Sequence, residues 1–209
     1  VILDYASEND IDLIVMGTHG RRGLEHVFLG SAAEEVVRLA KCPVLTMREI
    51  KKPHPKESLN RILVPIDFSH YAHQALLFAK EIAATYKSRL QVLHVIEQSK
   101  RPDFYFFNTN PNPNLIQNIR KKSKEKIEQL LNTVKEPNVA ADIHIIEGQA
   151  ARDIVKFADE NDTDLVVISS HGLTGYEQLL IGGVAEKVVR MSTSPVFTVK
   201  TFGNSKIIS

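Results

Sequence analysis

The chain contains an internal repeat, and this repeat constrains the fold more strongly than any other feature of the sequence. When the chain is shifted by 152 residues, positions 1–48 align with positions 153–200 without a gap, and 21 of the 48 pairs are identical. For example, ENDIDLIVMGTHG at 8–20 aligns with ENDTDLVVISSHG at 160–172. Such similarity indicates duplication of one structural unit. The two copies are therefore expected to share their local fold.

The two copies differ in length. The second copy extends over 61–201, which is the size of a full domain, whereas the first copy has only the part that aligns with the end of the second. The segment EIKKPHPKESLN at 49–60 is charged and contains two prolines, as is typical of a linker. The sequence therefore predicts a tandem protein with a truncated first domain at 1–48, a linker at 49–60, a complete domain at 61–201 and a tail at 202–209.

Short apolar runs alternate with amphipathic segments in the complete copy. RILVPI at 61–66 and LVVIS at 165–169 are almost continuously apolar, as expected of strands that are buried on both faces of a parallel sheet. Ser69 is placed to cap the helix that follows the first run. Further strands are predicted at 89–96, 139–146 and 195–199, and further helices at 115–134, 150–160 and 184–191. This alternation predicts an α/β fold with an open parallel sheet of five strands and helices on both faces.

Composition restricts the classes of partner. The 26 Lys and Arg residues nearly balance the 25 Asp and Glu residues, and the net charge of +1 disfavours nucleic acid and anionic membranes. No apolar run approaches the roughly 18 residues of a membrane span. Cys42 is the only cysteine, which precludes an internal disulfide and fits a reducing compartment. We therefore expect a cytoplasmic protein with no nucleic-acid or membrane partner.

Two histidines recur in the repeat, His19 and His171, but neither has a second ligand at the spacing of a metal site. No nucleophile is paired with either histidine, and no Ser/His/Asp arrangement can be assembled. We therefore expect no metal site and no catalytic residues, which disfavours an efficient enzyme.

A glycine-rich loop in the first copy predicts an anion site. Gly17 and Gly20 are followed by nine residues and then by Gly30 and Ser31, which open a helix. Glycines let the backbone approach a phosphate closely, and a helix N-terminus adds unpaired N–H donors and a positive dipole end. Ser31 fits either a phosphate ligand or a helix cap, because SAAE at 31–34 is also a capping-box pattern.

This loop resembles the nucleotide-binding motif of the universal stress protein family. The resemblance extends to VPIDFS at 64–69, to LHV at 93–95 and to the Pro-Val pair that begins the last strand of each copy. It implies the strand order 3-2-1-4-5, an adenine nucleotide alpha-hydrolase-like or Rossmann-like fold, and a site for ATP, with or without Mg. The site is expected where the strand order reverses. The resemblance assigns nucleotide contacts to Pro65, Asp67, Val95, Ile168, Ser169, Gly172, Gly182 and Gly183 in the complete copy, and to Gly17, Gly20, Gly30 and Ser31 in the first copy.

The complete copy departs from this motif at two positions. Ser169 stands where the first glycine is expected, and Gly183 stands where the helix-opening Ser or Thr is expected. Ser169 adds a side chain and Gly183 removes a hydroxyl donor, so weakened binding or an empty site is expected there. The first copy has the intact loop but lacks the strand that would carry a counterpart of Asp67.

The resemblance implies a stress-response regulatory protein in which an adenine nucleotide shifts conformation or assembly, with slow hydrolysis of ATP at most. The alternative is a dimerisation or interaction module that binds no nucleotide because its site has decayed. Members of the family pair through their fifth strands. We therefore expect Val44–Met47 and Val196–Val199 to pair antiparallel, either in a homo-oligomer or within one chain as a pseudo-dimer.

Overall fold

Helices and strands alternate along the chain. The computed structural model describes residues 1–18, 30–48, 58–97, 113–134, 137–170 and 182–200. The helices are α1 (Ile2–Glu8), α2 (Ser31–Leu39), α3 (His70–Tyr86), α4 (Pro113–Thr133), α5 (Ala150–Glu160) and α6 (Gly183–Met191). The strands are β1 (Ile14–Gly17), β2 (Val44–Met47), β3 (Arg61–Pro65), β4 (Arg89–Glu97), β5 (Ala141–Gly148), β6 (Leu165–Ser169) and β7 (Val196–Val199). Within these ranges, no helix has the length and apolar character needed to cross a bilayer.

The predicted elements of the complete copy are present, with bounds that differ from the prediction by at most two residues. β6 and α5 have the predicted bounds, and every residue of β6 is buried, as its continuous apolar run predicts. Most of the predicted linker and all of the predicted tail, residues 49–57 and 202–209, lie outside the described residues.

All the described strands belong to one open sheet, in the order β1-β2-β7-β6-β3-β4-β5. Neighbouring strands are parallel except β2 and β7, which are antiparallel. Read from β5 to β7, the complete copy has the predicted order 3-2-1-4-5. The prediction of five strands is wrong, because β1 and β2 of the first copy extend the sheet past β7 to seven strands.

Helices cover both faces of the sheet, as predicted. On one face, α3 and α4 contribute Leu76 and Ile127 to the core. On the other face, α5, α6 and α2 contribute Ile154, Val188 and Val37. Each of these side chains is at most 2% exposed. Burial of such a side chain stabilises the fold by roughly 1.5–3 kcal/mol, so these contacts fix each helix against the sheet.

The predicted antiparallel pairing of β2 with β7 occurs within the chain. Leu45 lies opposite Phe197, which is its equivalent in the repeat. Thr46 lies opposite Val196, and its Oγ1 donates a hydrogen bond to the Val196 carbonyl at 3.3 Å. The two copies are therefore related by a local two-fold axis through this strand pair.

The two edge strands differ in how they are covered. Beside β5, Arg120 Nη1 donates to the Ile145 carbonyl at 2.9 Å, and Arg120 Nη2 lies 3.1 Å from Glu147 Oε1. On β1, Val15 is 53% exposed, whereas its equivalent Val167 in β6 is 0% exposed. Among the described strands, β1 is thus an open edge of the sheet, and it has an apolar side chain in solvent.

Candidate functional site

A crevice forms where the strand order reverses, between β3 and β6. From β3 the chain passes through α3 to β4 on one side, and from β6 it passes through α6 to β7 on the other. The parallel register, with Ile62 opposite Leu165 and Leu63 opposite Val166, brings the carboxyl ends of both strands to the same edge of the sheet. Because α3 and α6 lie on opposite faces, the two strand ends separate in the way that creates ligand sites in open α/β sheets.

Asp67 lies in a tight turn between β3 and α3. The Ser69 N–H donates to Asp67 Oδ1 at 3.0 Å. Ser69 Oγ accepts from the Ala72 N–H at 3.0 Å, so the predicted cap of α3 is confirmed. Pro65 is the last residue of β3, and Pro65 and Asp67 are both half-buried. The turn therefore fixes a carboxylate at the carboxyl end of β3, beside the crevice.

The turn depends on Phe68, which has a φ of 63°. This left-handed conformation is uncommon for a bulky residue. The Phe68 ring centroid lies 4.5 Å from that of His94, and Lys126 Nζ lies 5.3 Å from the Phe68 centroid. His94 Nδ1 lies 2.8 Å from the Ile66 carbonyl oxygen, so this nitrogen carries a proton and donates it. Burial lowers the pKa of His94, which favours the neutral ring at neutral pH.

The sequence prediction did not assign a role to Phe68, His94 or Lys126. Phe68 and His94 lie within the VPIDFS and LHV segments, so their place beside the site was visible in the sequence. Their contact was not, because it depends on the backbone conformation of the turn. Lys126 comes from α4, 58 positions beyond Phe68, and no local pattern connects the two.

The other wall of the crevice is formed by the ends of β4 and β6. Val95 and Ile168 both pack into the apolar layer beneath α5 and α6. Ser169 ends β6 and is 8% exposed. The next residue, Ser170, donates its N–H to the Val199 carbonyl at 3.0 Å. Ser169 is therefore held inside the sheet at the position where the motif has its first glycine.

Both copies begin the following helix in the same way. Gly182 (φ −63°, ψ 140°) precedes α6, and Gly30 (φ −60°, ψ 139°) precedes α2. Gly182 N–H donates to the Ser170 carbonyl at 2.7 Å, and Gly30 N–H donates to the Thr18 carbonyl at 2.9 Å. A Cβ atom on Gly30 would lie 3.2 Å from the Thr18 oxygen, so glycine suits this close approach. The loop thus closes equivalently in both copies.

Ser31 is the first residue of α2, and Gly30 is its cap residue. The capping box predicted at 31–34 is wrong, because Gly30 occupies the cap position and no side chain caps this helix. Ser31 is exposed. At the equivalent position in α6, a Cβ atom on Gly183 would meet no atom of the described residues within 4 Å. Those residues therefore leave room for the hydroxyl that the complete copy lacks.

The structure places the predicted site residues in two separate groups. The first group lies at the carboxyl ends of β3, β4 and β6 and at the start of α6, and comprises Pro65, Asp67, Val95, Ile168, Ser169, Gly182 and Gly183. The second group lies with β1 and α2 and comprises Gly17, Gly30 and Ser31. Because β2 and β7 are antiparallel, β1 ends at the opposite edge of the sheet from β6. Gly20 and Gly172 lie outside the described residues, as do His19 and His171.

Within the described part of the chain, no three His, Cys, Asp or Glu side chains are grouped closely enough to hold a metal ion. Among the described residues, the crevice offers the Asp67 carboxylate, the apolar side chains of Val95 and Ile168 and the backbone N–H groups at the start of α6. This combination suits recognition of a ligand with an apolar ring, hydroxyl groups and an anionic end.

Comparison with known proteins identifies the family. The profile of the universal stress protein family matches residues 1–48 and 58–200. Universal stress protein A homolog 1 of Coxiella burnetii is 31% identical over 138 residues, which cover 66% of this chain and 94% of that protein. Universal stress protein Rv2623 of Mycobacterium tuberculosis is 27% identical over 198 residues, which cover 91% of this chain and 62% of that protein.

The fold is also similar to that of a solved structure. The crystal structure of a universal stress protein from Archaeoglobus fulgidus superimposes with a TM-score of 0.69 at 23% identity, over 95% of this chain and 65% of that chain. The similarity of fold therefore extends over nearly the whole sequence. The chain belongs to the universal stress protein family.

Proposed function

We propose that the protein is a regulatory protein of the stress response that binds an adenine nucleotide. ATP, with or without Mg, would bind in the crevice between β3 and β6 and shift the conformation or assembly of the protein. The Asp67 turn carries this proposal, because it holds a carboxylate at the reversal of strand order, where such sheets bind ligands. Slow hydrolysis of ATP is the most that we propose as catalysis.

Each part of the nucleotide has a matching group. Asp67 would accept hydrogen bonds from the adenosine, while Pro65 and Val95 would line the adenine pocket. The phosphates would lie at the start of α6, beside Gly182, where the backbone N–H groups of the first turn begin with that of the exposed Gly183 at the positive end of the helix dipole. Recognition by backbone donors agrees with the net charge of +1, since no cluster of lysines is needed.

The two departures from the motif set the expected strength of binding. Ser169 is buried and adds a side chain beside the ligand, and Gly183 offers no hydroxyl to a phosphate. We therefore propose that the complete copy binds nucleotide weakly, and that the intact loop of Gly17, Gly20, Gly30 and Ser31 marks the stronger type of site.

Calorimetric titration of ATP–Mg into the chain, with GTP–Mg as a comparison, tests this function. We expect saturable binding of ATP that is weakened or lost in Asp67→Ala. Asp142→Ala is the matched control, because Asp142 lies at the amino end of β5 and pairs with Arg89. Equal affinity in the wild type and Asp67→Ala would contradict the proposed site, and the absence of ATP binding would contradict the proposed function.

A second candidate function is an interaction module that binds no nucleotide. The β2–β7 pair favours it, because equivalent residues of the two copies already form an antiparallel contact of the kind that joins two molecules. Sedimentation analysis of the chain with and without ATP separates the two functions. Assembly that is insensitive to ATP, together with no calorimetric binding, would favour the module.

We also propose that residues 1–48 are the last part of a first domain in a tandem cytoplasmic protein. Two exposed apolar side chains in the first copy support this organisation: Val15 is 53% exposed and Met47 is 43% exposed. Their equivalents in the second copy, Val167 and Val199, are both 0% exposed. In the second copy, β3 pairs with β6, and α3 packs in the core cluster that contains Val167 and Val199. A front unit of the same type would cover β1.

A designed extension tests the tandem organisation. Because the repeat has no gap, a second copy of residues 58–152 can be placed directly before Val1. We expect the extended chain to bind less of an apolar dye and to protect the amide hydrogens of β1 from exchange. Unchanged dye binding, with the added segment unfolded, would contradict the proposal.

A further inference from the structure

The turn that presents Asp67 contains a backbone conformation that its sequence does not favour. Phe68, between Asp67 and Ser69, has a φ of 63°. A bulky residue adopts this region only where its surroundings enforce it, and such positions concentrate at functional sites. The neighbouring residues therefore have to supply the constraint that holds this conformation.

His94 supplies this constraint at two points. Its Nδ1 donates to the Ile66 carbonyl at 2.8 Å, just before Asp67, and its ring lies 4.5 Å from the Phe68 ring, just after Asp67. The Ile66 N–H also donates to the Leu93 carbonyl at 2.8 Å. The backbone on both sides of Asp67 is thus attached to the end of β4.

Lys126 and Ser69 complete the arrangement. Lys126 Nζ lies 5.3 Å from the Phe68 ring centroid, which is the geometry of a cation–π contact from α4. The Ser69 N–H donates to Asp67 Oδ1 at 3.0 Å, so the carboxylate orientation depends on the peptide that follows Phe68. A change at Phe68 that rotates this peptide would rotate the donor away from the carboxylate.

We infer that Phe68 and His94 are positioning residues for Asp67, and that their ring contact holds the left-handed turn in which the Asp67 carboxylate faces the nucleotide. This inference rests on the proposed function for its ligand, but the positioning itself is a property of the turn. Neither ring is required to touch the nucleotide. Their effect on binding passes through the orientation of Asp67.

Phe68→Gly is the most direct test. Glycine adopts a φ of 63° without strain, so the fold is retained while the ring contact is lost. We expect ATP–Mg affinity to fall about tenfold, the size of the loss of one well-oriented hydrogen bond to a charged group. We also expect the Ser69 amide hydrogen to exchange about tenfold faster, because its acceptor is no longer fixed. Phe68→Tyr keeps the ring and should restore both values.

Two further variants separate positioning from stability. Lys87→Gly makes the same backbone change at another left-handed residue, with a φ of 56°, at the end of α3 away from the crevice. It should leave both affinity and Ser69 exchange unchanged. His94→Asn removes the other ring and should reproduce the effect of Phe68→Gly on both measurements.

The outcomes distinguish this inference from the proposed function. Loss of affinity in Asp67→Ala with affinity within twofold of wild type in Phe68→Gly would overturn the inference and leave the function standing. If the wild type binds no ATP, the function fails, and Ser69 exchange decides the inference alone. Unchanged exchange in Phe68→Gly and His94→Asn would overturn it, and faster exchange in both would support it.

Discussion

Leu45 and Phe197 occupy equivalent positions in the two repeats and lie directly opposite one another in the β2–β7 strand pair. Opposite pairing of equivalent residues is the signature of a two-fold axis in an antiparallel interface. The chain therefore contains, within one polypeptide, the kind of self-complementary contact that two identical subunits would form.

The same symmetry relates two cationic side chains beside the strand pair. Arg48 Nη2 donates to the Arg190 carbonyl at 2.7 Å, at the end of α6. Its equivalent, Lys200, donates from Nζ to the carbonyls of Val37 and, at 3.3 Å, Arg38, at the end of α2. Each cation therefore meets the negative end of the other copy's helix dipole. These reciprocal contacts join the two copies outside the strand pair as well.

A charged substitution should have little effect on stability at Val15 in β1 and a large effect at the equivalent position in β6, Val167. We expect Val15→Lys to change the free energy of unfolding by less than about 0.5 kcal/mol, because the side chain is already in solvent. Val167→Lys should cost more than about 3 kcal/mol, because it places an unpaired charge in the core. Urea denaturation measures both. Similar costs for the two variants would show that the β1 edge is covered in solution.

Gly148 should tolerate no side chain. A Cβ atom there would overlap Asp153 Oδ2, the oxygen that accepts from the Gln149 N–H at 2.7 Å at the start of α5. We expect Gly148→Ala to destabilise the protein by about 1–3 kcal/mol, measured by thermal denaturation. Gly183→Ala is the control, since a Cβ atom there meets none of the described residues within 4 Å, and it should be neutral or slightly stabilising. An equal effect of both substitutions would refute this steric explanation.

Restoring the motif in the complete copy should strengthen ATP binding. Gly183→Ser returns the hydroxyl donor at a position where no described residue lies in its way, and Ser169→Gly removes the added side chain. We expect the double variant to bind ATP–Mg about tenfold more tightly than the wild type, which corresponds to one recovered charge-assisted hydrogen bond. Ser192→Gly, beyond the other end of α6, is the control for an added glycine. Calorimetry showing no gain in affinity would mean that the phosphates do not lie at the start of α6.

Stability at alkaline pH should depend on Lys200. Burial lowers the pKa of this amine from 10.5 to about 8. Between these pH values the unfolded chain binds more protons than the folded chain, so the free energy of unfolding should rise as the pH rises through this window. The free energy of unfolding should increase by at most about 3 kcal/mol over this window. Urea denaturation at pH 7.5 and pH 10 checks it.

Two variants control the alkaline measurement. Lys200→Met has no proton to release and should lose this part of the pH dependence. Lys187→Met removes an exposed lysine from α6 and should retain it. The same rise between the two pH values in all three proteins would show that another group is responsible.

The elements of the complete copy could be predicted because each one has its own local pattern. The buried run at Leu165–Ser169 and the amphipathic period at Ala150–Glu160 both gave the observed bounds. The count of strands in the sheet could not be obtained in this way, because it depends on whether β2 meets β7 within the chain. That contact forms between segments 150 residues apart, and no local pattern records it.

The sequence was sufficient to predict several residues of the candidate site, but not the backbone conformation that holds them. VPIDFS identified Asp67, and the structure places it at the expected strand end. The capping box at Ser31 was predicted wrongly, because Ser and Gly both suit a helix cap and the pattern does not decide between Ser31 and Gly30. The left-handed turn at Phe68 was missed because phenylalanine is not a residue that favours it.

The β2–β7 contact also has a consequence for synthesis of the protein. Thr46 is translated 150 residues before Val196, its partner in the sheet. At about 5–20 residues per second, one side of β2 stays open for roughly 8–30 seconds while the ribosome completes the chain. A chaperone that shields exposed strand edges would have its greatest effect in this interval, and a stalled ribosome would prolong it.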